Sequence, residues 1–263
     1  MGKVIGVVSL KGGVGKTSTV VALGDAIADF GKRVLLIDAN FSAPNLGLHL
    51  NIINPEKTIH HVLARQANLA DAIHELEKFD LMPASLFEKM NVNFMKLKDY
   101  VQMLKKKYDY ILIDSSPSLG EETLSAMLAS DQLLVITTPD YSTLGTTIKA
   151  VKLAKQRGTP ISGLVLNKVH NKNFELSTKE IEDTSGVPVM AVIPHDLNVM
   201  KAQSLFMPST SLNPHSEGSH EFRKLAATLI GEKYRPFRFK NFLRLSPSKS
   251  EINRTIYYNR MFS

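Results

Sequence analysis

An unbroken apolar run, Val4-Ile5-Gly6-Val7-Val8, leads directly into Lys11-Gly12-Gly13-Val14-Gly15-Lys16-Thr17. The order reads as strand, glycine-rich loop, helix. Glycines at 12, 13 and 15 let the backbone curl so that its N–H groups converge on one point. The helix that follows adds the positive end of its dipole. A loop of this kind is suited to phosphate. Gly12, Gly13, Val14, Gly15, Lys16, Thr17 and Ser18 are therefore the expected nucleotide contacts. Lys16 is placed to reach the β- and γ-phosphates, and the Thr17 hydroxyl to hold Mg²⁺. One departure stands out: Leu10 occupies the first glycine position of the usual Gly-x-x-x-x-Gly-Lys-Thr pattern, and a second lysine, Lys11, follows it.

The rest of the chain continues the same rhythm. Apolar β-branched runs predict strands at Val4–Ser9, Arg33–Asp38, Asp80–Met82, Tyr110–Asp114, Gln132–Thr137, Gly163–Asn167 and Val189–Ile193. Helical patterns fall between them at Thr17–Phe30, Ala67–Glu77, Leu97–Lys107, Gly120–Ala129, Leu144–Gln156, Ser177–Thr184 and Glu217–Glu232. Alternation of this kind predicts an α/β fold, a doubly wound, mostly parallel sheet with helices on both faces. Ligands then bind beyond the carboxyl ends of the strands, where the loop after the first strand lies. Ser204–Ser219, rich in Ser, Pro and Asn, reads as a surface loop. The Met90–Met103 stretch reads as core packing, and Lys105-Lys106-Lys107 as a complement to a helix C-terminus.

Two acids close buried strands: Asp38 after Val34-Leu35-Leu36-Ile37, and Asp114 after Tyr110-Ile111-Leu112-Ile113. A carboxylate at that edge, beside a phosphate loop, is placed to order Mg²⁺ and its waters. Thr17, Asp38 and Asp114 are the expected metal-linked residues. The chain has no cysteine, which excludes disulfides, thiolate-bound metals and iron–sulfur clusters. The adjacent His60 and His61 diverge on a helix and are poor candidates for a shared metal.

These motifs together resemble the MinD/ParA family of P-loop ATPases with a deviant Walker A loop, its MinD-like branch in particular. The resemblance rests on Lys11 before Gly-Gly-Val-Gly-Lys-Thr, on Ile37-Asp38-Ala39-Asn40 with Asn45-Leu46-Gly47, on Ile113-Asp114-Ser115-Ser116-Pro117, and on Leu166-Asn167-Lys168 with Ile193-Pro194-His195-Asp196. It spans residue 3 to about 232. It implies an ATPase using Mg²⁺, in which ATP closes a face-to-face homodimer. Lys11 would reach across to the partner's nucleotide while Lys16 serves its own. Asn167, Pro194 and Asp196 would lie about the adenine. It also implies a cytoplasmic protein at the inner face of the cell membrane, with a cargo or activator that places a division site or a polar machine. Asn40 breaks the family pattern, where a second Asp helps position the attacking water. Asn keeps the size and one acceptor but lacks the charge. Slow or partner-dependent hydrolysis is the expectation.

The net charge of +7 lies in the tail. From Lys233 to Ser263 there are eight Lys/Arg and one acid, Glu251, while residues 1–232 are neutral overall. We read residues 1–234 as the ATPase domain and 235–263 as a basic, partly amphipathic tail. Phe237, Phe239, Phe242 and Leu243 alternate with cations, as a segment lying in an anionic membrane interface would. Nucleic acid is the competing partner, as in DNA-riding members of the family, since Lys/Arg interleaved with Phe and Tyr also neutralise phosphates and stack on bases. A third reading is a disordered tail that solubilises.

Overall fold

The computed structural model describes residues 1–87 and 90–234. The membrane and nucleic-acid expectations for Phe237, Phe239, Phe242 and Leu243 lie outside the described residues. The elements run β1 (Lys3–Val8), α1 (Lys16–Ala28), β2 (Val34–Ala39), α2 (Leu46–His49), α3 (Ile59–Leu63), β3 (His74–Glu75), β4 (Asp80–Met82), α4 (Leu97–Leu104) and β5 (Tyr110–Ser115). They continue with α5 (Glu121–Ala129), β6 (Gln132–Thr137), α6 (Tyr141–Gln156), β7 (Ile161–Val169), α7 (Thr178–Ser185), β8 (Val189–Pro194), α8 (Leu197–Ser204), α9 (Ser209–Leu212) and α10 (Glu217–Ile230).

The strands form one eight-stranded sheet in the order β3-β4-β2-β5-β1-β6-β7-β8. Every pairing is parallel except β3 with β4. Alternation along each strand divides the core in two, because successive side chains point to opposite faces. Ile5 and Val7 of β1, with Val34 and Leu36 of β2, pack against α1 and α10 on one face. Val4 of β1 and Leu35 and Ile37 of β2 pack against α3, α4 and α5 on the other. Farther along that second face, Leu133 and Val135 of β6 and Leu164 and Leu166 of β7 meet α6 and α7. A sheet apolar on both faces must be covered on both, which produces the doubly wound arrangement. The chain reverses direction across the sheet at β1, whose neighbours are β5 and β6. Its outgoing loop is therefore at the point where such folds take their ligands.

Three sequence expectations need correcting. Ala67–Glu77 is not a helix. Asn68 donates from its backbone and side chain to Asp71 Oδ2, both at 3.1 Å, and this turn leaves a single 3₁₀ turn at Ala70–Ala72 before β3 begins. Ser204–Ser219 is not a surface loop throughout: it carries α9, and Thr210 and Ser219 are buried. The Ser219 hydroxyl donates to Asn213 O at 2.7 Å, while Thr210 answers Asp25 of α1, itself buried, whose carboxylate accepts from the hydroxyls of Thr210 (2.5 Å) and Ser211 (2.9 Å). A buried carboxylate requires such donors. In the methionine-rich stretch, the core contacts of α4 come from Leu97, Val101 and Leu104, while Met95 and Met103 are exposed. Lys105 does sit at the end of α4, where its ammonium bonds both oxygens of Asp131 at 2.8 and 2.9 Å.

Candidate nucleotide site

The loop between β1 and α1 is shaped by Gly13 and Gly15, with φ of +77° and +86°, a region that side chains with a Cβ avoid. A Cβ on Gly12 or Gly13 would meet nothing within 4 Å, so the loop's outer side is open. A Cβ on Gly15 would instead run into the Asn167 amide. That side is closed by the strand ends next door. Asn167 Nδ2 donates to Val14 O at 2.8 Å, and Lys168 Nζ to Gly13 O at 2.6 Å. Asn167, expected beside adenine, thus holds the loop itself in this structure. Lys168 was not singled out as a site residue, although it adjoins Asn167.

Lys16 and Thr17 converge on Asp114. Lys16 Nζ lies 2.5 Å from Asp114 Oδ1, and Thr17 Oγ1 donates to Asp114 Oδ2 at 2.7 Å. Both partners of the ion pair are buried, with side-chain exposures of 8% and 1%. Asp114 lies beside Asp38 in the β2–β5 register. Asp38 is fully buried, and its hydrogen bonds go to backbone: Oδ1 accepts from Asn40 N (3.0 Å), Oδ2 from Asn45 N (3.1 Å) and Leu46 N (2.9 Å). Burial first, and the Asp114 charge second, push the Asp38 carboxyl up to about 7, against the pull of the Leu46 and Asn40 amides and of Lys16. Asp38 therefore closes the loop after β2 onto its own root, while Asp114 faces Lys16 and Thr17. Asn40 is buried, and its side-chain amide donates to Ala43 O within the same loop.

Lys11 points away from this cluster. Its ammonium bonds Thr143 Oγ1 at 2.8 Å, Ser142 Oγ at 3.2 Å and Asp140 Oδ1 at 3.3 Å, at the start of α6. Burial raises the Asp140 pKa, but donors from Thr138, Thr143 and Lys11 outweigh it and hold the group at about 2. These seats were missed in the sequence. Asp140 lies at the same sheet edge but beyond the end of β6, as the N-cap of α6, where the strand-end rule for Asp38 and Asp114 does not reach. Of the remaining candidates, Ser18 Oγ lies 3.5 Å from His49 Nε2. Pro194 ends β8, and Asp196 caps α8 by accepting from Asn198 N at 2.8 Å.

The residues fit a magnesium nucleotide. A loop open on its outer side, one buried ammonium, one hydroxyl and one carboxylate at hydrogen-bond distance from each other are the donors such a ligand requires. The acid–lysine contact satisfies both charges within the chain, and an incoming phosphate would compete for the lysine. Among the described residues no group of three or more His, Cys, Asp or Glu side chains is placed to hold a metal without help. An ion here would rest on Thr17, Asp114 and the nucleotide together. No helix of the described residues is long and apolar enough to cross a membrane.

Comparison with known proteins agrees with this geometry. The AAA_31 family model, an AAA domain, matches residues 2–161. An uncharacterized ATP-binding protein of Methanocaldococcus jannaschii is 35% identical over 233 residues, 88% of each chain. The cell division ATPase MinD of Pyrococcus furiosus superimposes with a TM-score of 0.81 at 33% identity, over 88% of this chain and 99% of that one. The septum site-determining protein MinD of Pyrococcus horikoshii, solved with Mg-ADP, gives 0.80 at 32% identity, over 87% and 96%. With the parallel sheet and the two-lysine loop beside Asp114, the chain belongs to the ParA/MinD-type family of P-loop ATPases.

Proposed function

We propose that the protein is an ATP-dependent dimerising switch that positions a cellular machine at a membrane surface and hydrolyses ATP slowly unless a partner assists. The observation that carries this reading is the divergence of the two loop lysines. Lys16 is buried and already faces the phosphate side; Lys11 is one-third exposed and rests on hydroxyls and Asp140 at the rim. Within its own chain Lys11 turns away from Lys16 and Asp114, and so from the phosphate that Lys16 would serve. A second copy placed face to face supplies one, and moving a cation from a weak, screened pair to a γ-phosphate favours the closed dimer. Exposed apolar residues at the same sheet edge support that placement: Leu119 follows β5, Tyr141 begins α6 after β6, Phe174 follows β7, and Leu197 and Met200 lie on α8 after β8. Such side chains are readily covered by a partner.

In this scheme the backbone amides of Gly12–Gly15 cradle the phosphates, Lys16 exchanges Asp114 for phosphate oxygen, and Thr17 and Asp114 are left to hold Mg²⁺. The ion, when bound, offsets charge on the phosphates. Lys11 neutralises charge that shifts toward the leaving oxygen. Dimerisation then doubles the tail segments around Phe239 and Phe242, so that two weak anchors act together. Asn40 favours the variant of this reading in which the nucleotide holds a scaffold together and is rarely cleaved.

Co-sedimentation of the full chain with anionic liposomes tests the membrane step. Pelleting is expected with ATP and Mg²⁺, less of it with ADP, and none for residues 1–234. Indifference to liposomes under both nucleotides removes the membrane from the proposal. Retention on DNA instead, with the same nucleotide dependence, replaces it with the DNA-riding reading.

A further inference from the structure

Two neighbouring residues in the first turn of α5 reach in different directions. Glu122 Oε1 accepts from Ser42 N at 3.1 Å and from the Ser42 hydroxyl, in the loop after β2 that carries Asn40. Thr123 Oγ1 donates to Ser116 O at 2.8 Å and to Ser118 O at 2.7 Å, in the loop that leaves β5 just past Asp114. The roots of these two loops, Asp38 and Asp114, are register partners in the sheet. The β2 loop is itself a unit: Asp38 binds the amides of Asn40, Asn45 and Leu46, and the side-chain amides of Asn40 and Asn45 both bind Ala43 O. Displacing either loop therefore disturbs the same helical turn. Glu122 is buried, yet its second oxygen, Oε2, has no hydrogen-bond partner among the described residues. An unfilled buried acceptor is costly and calls for a reason. The carboxylate thus holds Ser42 through Oε1 alone, and Oε2 remains open to a donor.

Resting on the nucleotide-switch reading above, we infer that Glu122 is a positioning residue. Through Ser42 it conveys a change at Asp114 and Ser116 to the loop that holds Asn40. The connection runs Asp114, Ser116, Thr123, Glu122, Ser42, Asn40, and its link to the β2 loop is the Ser42–Glu122 contact. Glu122 touches no nucleotide in this scheme, so its loss acts on turnover and loop coupling rather than on nucleotide affinity.

Hydrogen exchange of the full-length protein tests this, with no nucleotide, Mg-ADP and Mg-ATP compared. In the natural chain, residues 39–46 and 115–123 are expected to change protection together when nucleotide is added. In Glu122→Ala the 115–118 response persists and the 39–46 response is lost, with exchange at Ser42 about ten- to a hundredfold faster. Glu122→Gln, which keeps an oxygen for Ser42, restores much of the response. Ser42→Ala, at an exposed position that leaves the core untouched, weakens it. Nucleotide dissociation constants stay within about twofold in all three, while kcat falls about tenfold in Glu122→Ala. A uniform loss of protection with lowered affinity in both Glu122 variants would show a merely structural role and overturn the inference. So would a natural-level 39–46 response in Glu122→Ala. If the natural chain itself shows no response in either segment, the nucleotide-switch reading fails first and this inference with it.

Discussion

Lys16→Ala is expected to weaken nucleotide binding by at least about a hundredfold. Among the described residues the lysine is the one buried cation facing the loop, 2.5 Å from Asp114. A desolvated charged hydrogen bond lost on one side only costs roughly 2–5 kcal/mol in binding. The substitution also strands Asp114, left with the Thr17 hydroxyl, so the protein without nucleotide should lose about 3 kcal/mol of unfolding free energy. Lys11→Ala on the same loop should do neither in the monomer. Its ion pair is partly exposed on both sides, and pairs of that kind contribute roughly 0–1 kcal/mol. Titration with a fluorescent nucleotide analogue, together with urea unfolding, separates the two lysines. Equal effects from both would contradict the distinct roles assigned to them.

Asn40→Asp is expected to raise steady-state phosphate release by about tenfold or more, since a carboxylate that orders the attacking water is typically worth 10²–10⁴-fold. The structure adds a cost that the sequence alone did not show. Asn40 is buried, and its amide is the donor to Ala43 O. Aspartate has no donor to offer there and would place a third carboxylate near Asp38 and Asp114. The nucleotide-free variant should therefore be less stable by about 1–3 kcal/mol even as its turnover rises. Faster turnover in a less stable protein would be the signature of a chain that has given up rate for a well-ordered loop. Unchanged turnover would mean that Asn40 is not what limits hydrolysis.

The frame of the fold was legible because its strands are buried on both faces. Runs such as Tyr110-Ile111-Leu112-Ile113 have no polar side to confuse their reading. The phosphate loop was legible because its glycines are spaced by backbone geometry rather than by packing. What escaped was set by partners distant in sequence. The two residues of β3 are a strand because β4 lies beside them. Thr210 and Ser211 of α9 are drawn inward because Asp25, on a different helix, needs their hydroxyls. Site residues divide in the same way. Lys16 and Thr17, at the start of α1, meet Asp114, near the end of β5, as the loop motif and the strand-end acid imply. Asn167 and Asp38 are drawn to backbone groups that no motif announces, and the Glu122–Ser42 contact joins residues 80 positions apart.

Light scattering on a sizing column, with no nucleotide, with Mg-ADP and with Mg-ATP, addresses the central claim most directly. The natural chain should elute at 29.2 kDa in the first two conditions and at about twice that with ATP, while Lys11→Ala binds ATP and stays at the monomer mass. A natural chain whose mass is the same in all three conditions, under saturating Mg-ATP, would contradict the account.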